Sequence, residues 1–200
     1  MRSSTSLSFG VALVAAAVSF GAACAQDMNS APNPYRVVDN WAQLPQGRVW
    51  GMAIGIDIDH DGKSVWVYDR CGAKSCTGSP LAPIQKFDAS GKLVTSFGAG
   101  MFNWPHGLFV DRDGNIWLTD AKGEGGKGQV VVKFSPDGKV LMTLGTPGVA
   151  GNDEHHFNAP SDVVVAANGD IFVADGHGDD TNARIVKFSK DGKFLLAWGH

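Results

Sequence analysis

The 200-residue chain has little cysteine, little net charge and no long helical periodicity. Its cysteines are three, Cys24, Cys71 and Cys76, and no second Cys or His pair is spaced to complete the four ligands of a structural zinc site. The 17 basic residues face 20 acidic ones without forming a basic stripe, which excludes the electrostatic footprint of a nucleic-acid binder. Stop-transfer flanks are missing too, so no stretch reads as a membrane anchor. Where helical patterning fails, 26 glycines stand, and this composition predicts an all-β, turn-rich chain.

What is present is a repeat. Leu108-Phe109-Val110 and Ile116-Trp117-Leu118 read as strands, and Asp111-Arg112-Asp113-Gly114-Asn115 between them carries the residues of a tight hairpin. Two more strands follow, from Gln129 to Phe134 and from Val140 to Leu144, so one unit holds four. The hairpin glycines Gly62, Gly114 and Gly169 recur with a period of about fifty residues. The Lys-Phe pairs at Lys86, Lys133 and Lys187, the closing glycines Gly98, Gly145 and Gly199, and the strand-end aspartates Asp69, Asp120 and Asp175 keep the same register.

Four strands at this period predict the blades of a β-propeller, at about residues 47–98, 102–145 and 157–199. The wording of the motif resembles the NHL repeat, and no Gly-His…Trp-Asp signature appears. Three blades do not close a ring, so the remaining blades are expected in a longer protein.

Ahead of the blades, residues 1–25 read as an export signal: Arg2, an apolar run from Leu7 to Ala23, and the small triplet Ala23-Cys24-Ala25 with cleavage after Ala25. Lipidation at Cys24 is the weaker reading, because Gly21 stands where that signal carries Leu. The expected location is therefore periplasmic or secreted, with no membrane attachment once the signal is removed. Residues 26–46 form an extension that offers a ring-closing strand. Cys71 and Cys76 then remain as an even pair in an exported chain, and a local disulfide is the simpler reading, with a metal site as the alternative. Asp57-Ile58-Asp59-His60-Asp61-Gly62 imitates half of a calcium loop, but Tyr68 stands where the bidentate Glu belongs, so it reads as a hairpin turn.

Topology locates the candidate site. In an antiparallel blade the innermost strand begins beside the end of the second strand, so residues at those two places gather at one mouth of the channel. His106 opens the innermost strand of the second blade, where the equivalent positions hold Ile54 and Ser161. Arg70 and His177 follow the second-strand aspartates of blades one and three. Each alone reads as a rim or loop residue; their shared location makes them a candidate site.

With these residues the chain resembles the peptidyl-α-hydroxyglycine α-amidating lyases, which are six-bladed NHL propellers. The stretches carrying the resemblance are Trp104 to Asp120, His155 to Gly176 and Asn182 to Gly199. The resemblance implies a small-molecule or peptide substrate and a zinc ion on three histidines, of which His106 is the first and the others belong to blades beyond His200. It also implies a structural calcium on backbone carbonyls, for which Ile56 and Leu108 match the ligand positions, and an active-site arginine for the substrate carboxylate at Arg70. His177 stands where the lyases carry a tyrosine that acts as base, and an imidazole there can take the same proton. The implied reaction cleaves peptidyl-α-hydroxyglycine to a peptide amide and glyoxylate. The alternatives are a non-catalytic extracytoplasmic NHL propeller that binds a peptide, sugar or protein, and, more weakly, a gluconolactonase-like hydrolase, against which His106 argues.

Overall fold

The computed structural model describes residues 32–199, so the export signal read over 1–25, with Cys24, lies outside the described residues. The chain divides after Val38. Residues 32–38 are exposed and carry neither strand nor helix, and the fold described below lies within residues 39–199.

Among the described residues there are twelve strands, no helix, and three four-stranded antiparallel meanders. The first sheet runs β1 (Ala53–Ile58), β2 (Val65–Asp69), β3 (Ile84–Phe87) and β4 (Leu93–Phe97). The second runs β5 (Pro105–Val110), β6 (Ile116–Asp120), β7 (Val130–Phe134) and β8 (Val140–Leu144). The third runs β9 (Pro160–Val165), β10 (Ile171–Asp175), β11 (Arg184–Phe188) and β12 (Phe194–Gly199). Their order is sequential in each sheet, and the innermost strands β1, β5 and β9 adjoin one another. These are propeller blades, as the repeat predicts.

The middle sheet is apolar on both faces because each face meets a neighbour. Ile116, Leu118, Val130, Val132 and Phe134 join Trp66, Tyr68 and Ile84 of the first sheet in one core. Trp117, Val131 and Leu144 join Val163, Ile171, Val173, Val186 and Phe188 of the third in another.

The repeated polar landmarks pin each sheet internally. The lysine of each Lys-Phe pair reaches back to the hairpin between the first two strands: Lys86 Nζ lies 2.8 Å from Asp59, Lys133 Nζ 3.6 Å from Asp111 and Lys187 Nζ 2.7 Å from Asp170. On the way each ammonium passes over an aromatic ring of the second strand, Trp66, Trp117 or Phe172, at 5.0 to 5.4 Å. The phenylalanine of the pair receives an aromatic residue from the segment leading into its own blade. These contacts are Trp50 on Phe87, Phe102 on Phe134 and Phe157 on Phe188, with centroids 5.8, 6.1 and 5.9 Å apart.

The calcium-loop look-alike is a hairpin turn whose carboxylates serve the fold. Asp57 accepts the Val110 N–H of the second sheet at 2.8 Å, Asp59 accepts the Trp66 indole N–H at 2.6 Å, and Asp61 accepts the Lys63 and Ser64 N–H groups. In the 26–46 extension, Gln43 donates its N–H to Gly91 O at 2.7 Å and makes a parallel bridge to Lys92, while Trp41 rests on Phe87. This part of the extension therefore lies on the first sheet.

The closing glycines have a steric reason. Gly145 has φ +87°, and a Cβ there would stand 2.7 Å from both Gln129 O and the Phe157 ring, so the left-handed turn lets the next blade's aromatic seat itself. Gly62 has φ +69° with open space around it. Gly145→Ala is thus expected to lose about 2 kcal/mol or more from strain and collision together, and Gly62→Ala only the smaller backbone part. Urea unfolding midpoints of the two variants check this, and equal losses would refute the steric account.

Candidate active site at the channel mouth

The site is built on β-bulges. In each sheet the register slips where the innermost strand begins: Ala53 pairs with Asp69 and Gly55 with Tyr68, Pro105 with Asp120 and Leu108 with Leu118, Pro160 with Asp175 and Asp162 with Ala174. The residues left over are Ile54, His106 with Gly107, and Ser161, the positions that sequence alignment made equivalent. A bulge re-aims the side chain it carries. Here a cavity of about 430 Å³ is lined by Ile54, His106 and Ser161, together with Ile56, Leu108, Asp162 and His177. Gly107 permits this convergence, since a Cβ would lie 2.7 Å from the Asp162 main chain.

Arg70, His106 and His177, drawn from three sheets, meet around one side chain. The Arg70 guanidinium lies 3.8 Å above the Trp104 ring, and the centroids of His106 and His177 lie 5.5 and 5.3 Å from it. The two imidazoles touch edge to face at 4.6 Å. Sequence reading placed the three polar residues and missed Trp104 as their common platform. The signal was available: Trp104 stands where the other two repeats have Met52 and Ala159, two residues ahead of the bulge.

Arg70 is buried, at 4 % exposure, and no carboxylate lies in salt-bridge range of it among the described residues. Its Nε donates to Pro105 O at 2.9 Å, and Nη1 faces the Met52 sulfur at 3.6 Å. Burial lowers its pKa, yet a guanidinium keeps its charge at any physiological pH. A buried, charged group without a counter-ion is costly to the fold, and a ligand anion relieves it.

His106 is half-buried, and burial lowers its pKa, which favours the neutral ring. Nδ1 lies 2.7 Å from Ser161 O, which can only accept, so the proton sits on Nδ1 and Nε2 keeps its lone pair. That is the arrangement of a metal-ligating imidazole with its second nitrogen anchored. His106 is therefore chemically able to ligate a metal through Nε2, although no three His, Cys, Asp or Glu side chains converge on one point among the described residues. Ile56 and Leu108, the two positions expected to hold calcium through their carbonyls, line the same cavity as Asp162.

The loop after Arg70 is closed by the Cys71–Cys76 disulfide, with the Cα atoms 5.2 Å apart. Cys71 takes φ +54°, and Cys76 N–H donates to Asn103 O at 2.8 Å, tying this loop to the segment that carries Trp104. His177 is held from its backbone, whose N–H donates to Thr181 Oγ1 at 2.8 Å.

Beneath the mouth lie the three strand-end aspartates, all buried. Asp69 accepts Gly51 N–H at 2.7 Å and pairs with Arg48; Asp175 accepts Asn158 N–H at 2.8 Å and pairs with Arg184. Asp120 accepts the N–H groups of Asn103 and Trp104, at 2.8 and 2.6 Å, with no basic side chain in salt-bridge range among the described residues. Burial outweighs the backbone hydrogen bonds and the more distant Arg70 charge, and pushes its pKa up to about 6.

No family model matches the chain. It is 44% identical over 104 residues to a probable peptidyl-α-hydroxyglycine α-amidating lyase of Caenorhabditis elegans, covering 52% of this chain and 28% of the relative. It is 35% identical over 170 residues to peptidyl-glycine α-amidating monooxygenase A of Xenopus laevis, covering 78% of this chain and 17% of that protein. The chain thus spans less than a third of the length of each of these two. It is also 29% identical over 171 residues to human NHL repeat-containing protein 3, covering 83% and 46%. Among solved structures it superposes on Kuenenia stuttgartiensis hydrazine synthase with a TM-score of 0.53 at 14% identity, covering 78% of this chain and 38% of that one. It also superposes on a virginiamycin B lyase of Staphylococcus aureus with a TM-score of 0.50 at 19%, covering 76% and 42%. These structures share the fold alone. The chain carries NHL-type propeller blades and resembles the amidating lyases.

A carboxyl with a pKa near 6 in the folded chain, against about 4 unfolded, binds its proton more tightly when folded. Asp120 therefore contributes stability that is present below pH 4 and lost as pH rises through 6. Asp120→Asn should flatten this part of the stability profile, measured as denaturation midpoints between pH 4 and 7. An unchanged slope would contradict the assignment.

Proposed function

We propose that this chain carries part of the active site of an exported lyase that cleaves a peptidyl-α-hydroxyglycine to the peptide amide and glyoxylate. The observation that supports it most is the buried Arg70 guanidinium, outside salt-bridge range of any carboxylate among the described residues and stacked on the Trp104 ring that both imidazoles also touch. A substrate carboxylate supplies the missing counter-ion, and its α-carbon, one bond away, then falls beside His106 and His177. The relatives that bear the lyase name support the same substrate class.

The reaction is a redox-neutral elimination. His177 takes the proton from the α-hydroxyl, the oxygen electron pair forms the carbonyl, and the Cα–N bond breaks with its electrons going to nitrogen. Return of the proton to that nitrogen releases the amide, and glyoxylate remains on Arg70. Trp104 holds the guanidinium plane by stacking, and Pro105 O fixes its rotation through Nε. His106 would hold a zinc ion through Nε2, and that ion when bound supplies Lewis-acid polarisation of the hydroxyl oxygen. Ile56 and Leu108 would hold a structural calcium. Action after export, in the periplasm or outside the cell, belongs to the same proposal.

His177 is the discriminating position. His177→Phe should lower the rate of glyoxylate release about 100-fold or more, whereas His177→Tyr, which restores a proton acceptor of the kind found in the lyases, should retain activity within about tenfold. Arg70→Ala should raise KM strongly. These rates are read in the longer protein that carries the remaining blades: equal rates for His177→Phe and its parent would remove His177 from the chemistry, and absence of glyoxylate release from the zinc-loaded full-length protein would remove the reaction altogether.

A further inference from the structure

Beside the central cavity lies a second one, of about 360 Å³, between the second and third sheets. Trp104 and His177 line it, and Lys122, Gln129, Asn158 and Thr181 contribute its polar wall. His177 borders both cavities, so it forms the partition between them. A ligand held by its carboxylate on Arg70, with its α-carbon beside the imidazoles, can continue past His177 into this space.

We propose that this second cavity receives the residue that precedes the reacting glycine in a bound peptide, and that it favours an acidic side chain there. This rests on the proposed orientation of the substrate carboxylate toward Arg70. The charge comes from Lys122, which is exposed and has no carboxylate in salt-bridge range among the described residues. The surrounding groups suit an anion. Gln129 spends its side-chain oxygen on Ala159 N–H, which leaves its amide hydrogens for other use, and Thr181 adds a hydroxyl. Asp179 and Asp180 belong to the Thr181 loop but stand outside the cavity lining. Trp104 supplies an apolar wall for the aliphatic part of the side chain.

The test uses the full chain and three non-cleavable peptides, N-acetylated dipeptides ending in glycine, with Glu, Phe or Lys before it. Affinity is read by calorimetry in the unmodified chain, in Lys122→Ala and in Lys122→Glu. The unmodified chain should bind the Glu peptide about fivefold or more tighter than the Lys peptide. Lys122→Ala should level the series, and Lys122→Glu should invert it. An order that Lys122→Glu leaves unchanged, equal affinities in the unmodified chain, or no binding of any peptide would each overturn the proposal. Turnover of the matching hydroxyglycine peptides by the zinc-loaded longer protein that carries the remaining blades separates the two claims: preference without turnover leaves this subsite standing and sinks the lyase reading, whereas turnover without preference does the opposite.

Discussion

Each sheet depends on a buried carboxylate at the end of its second strand. Asp69, Asp120 and Asp175 accept N–H groups from the segment that leads into their own blade. Such backbone donors have no strand partner there, and an unsatisfied buried N–H costs about as much as a lost hydrogen bond. The carboxylate therefore decides where the lead-in segment sits. That segment carries the aromatic ring that packs on the Lys-Phe phenylalanine, and three residues after that ring the innermost strand begins. One interaction sets both the lateral packing and the bulge from which the site is built.

The second blade departs from this scheme in a way that serves the mouth. Arg48 neutralises Asp69 and Arg184 neutralises Asp175, whereas Asp120 holds two N–H groups and no guanidinium in salt-bridge range among the described residues. Arg70, which follows Asp69, instead turns onto Trp104 and Pro105 O. A cation and an acid thus stay separated under a common aromatic platform. In the first and third blades the strand-end aspartate is paired with an arginine; in the second it is not, and the arginine of the first sheet stacks on Trp104 instead. The same crowding fixes His106, since Gly107 lets the neighbouring innermost strand approach until Ser161 O reaches Nδ1.

Much of the fold was legible because it recurs. The hairpin glycines, the Lys-Phe pairs and the strand-end aspartates are spaced by a period, and a period is visible in one sequence. The register argument that grouped Arg70, His106 and His177 rested on antiparallel geometry alone, and it holds in the structure as their contact around Trp104. What the sequence hid were contacts with no period: Trp104 as platform, Ser161 O on His106, and the lack of a salt-bridged arginine on Asp120 among the described residues. These arise from side chains crossing between blades, where only the three-dimensional approach of β5 and β9 decides which atoms meet. The lysine of the Lys-Phe pair was visible as a landmark, but its role, bridging a second-strand aromatic ring and a hairpin aspartate, needed the fold.

The account stands or falls on where a peptide carboxylate binds. The most direct measurement is a crystal structure of the full chain with a peptide ending in glycine, which presents the carboxylate and α-carbon of the substrate without the hydroxyl that permits cleavage. The carboxylate should pair with the Arg70 guanidinium while it remains stacked on Trp104, with the α-carbon beside His106 and His177. A peptide bound elsewhere on the blades, or one whose carboxylate turns away from Arg70, would contradict the site described above.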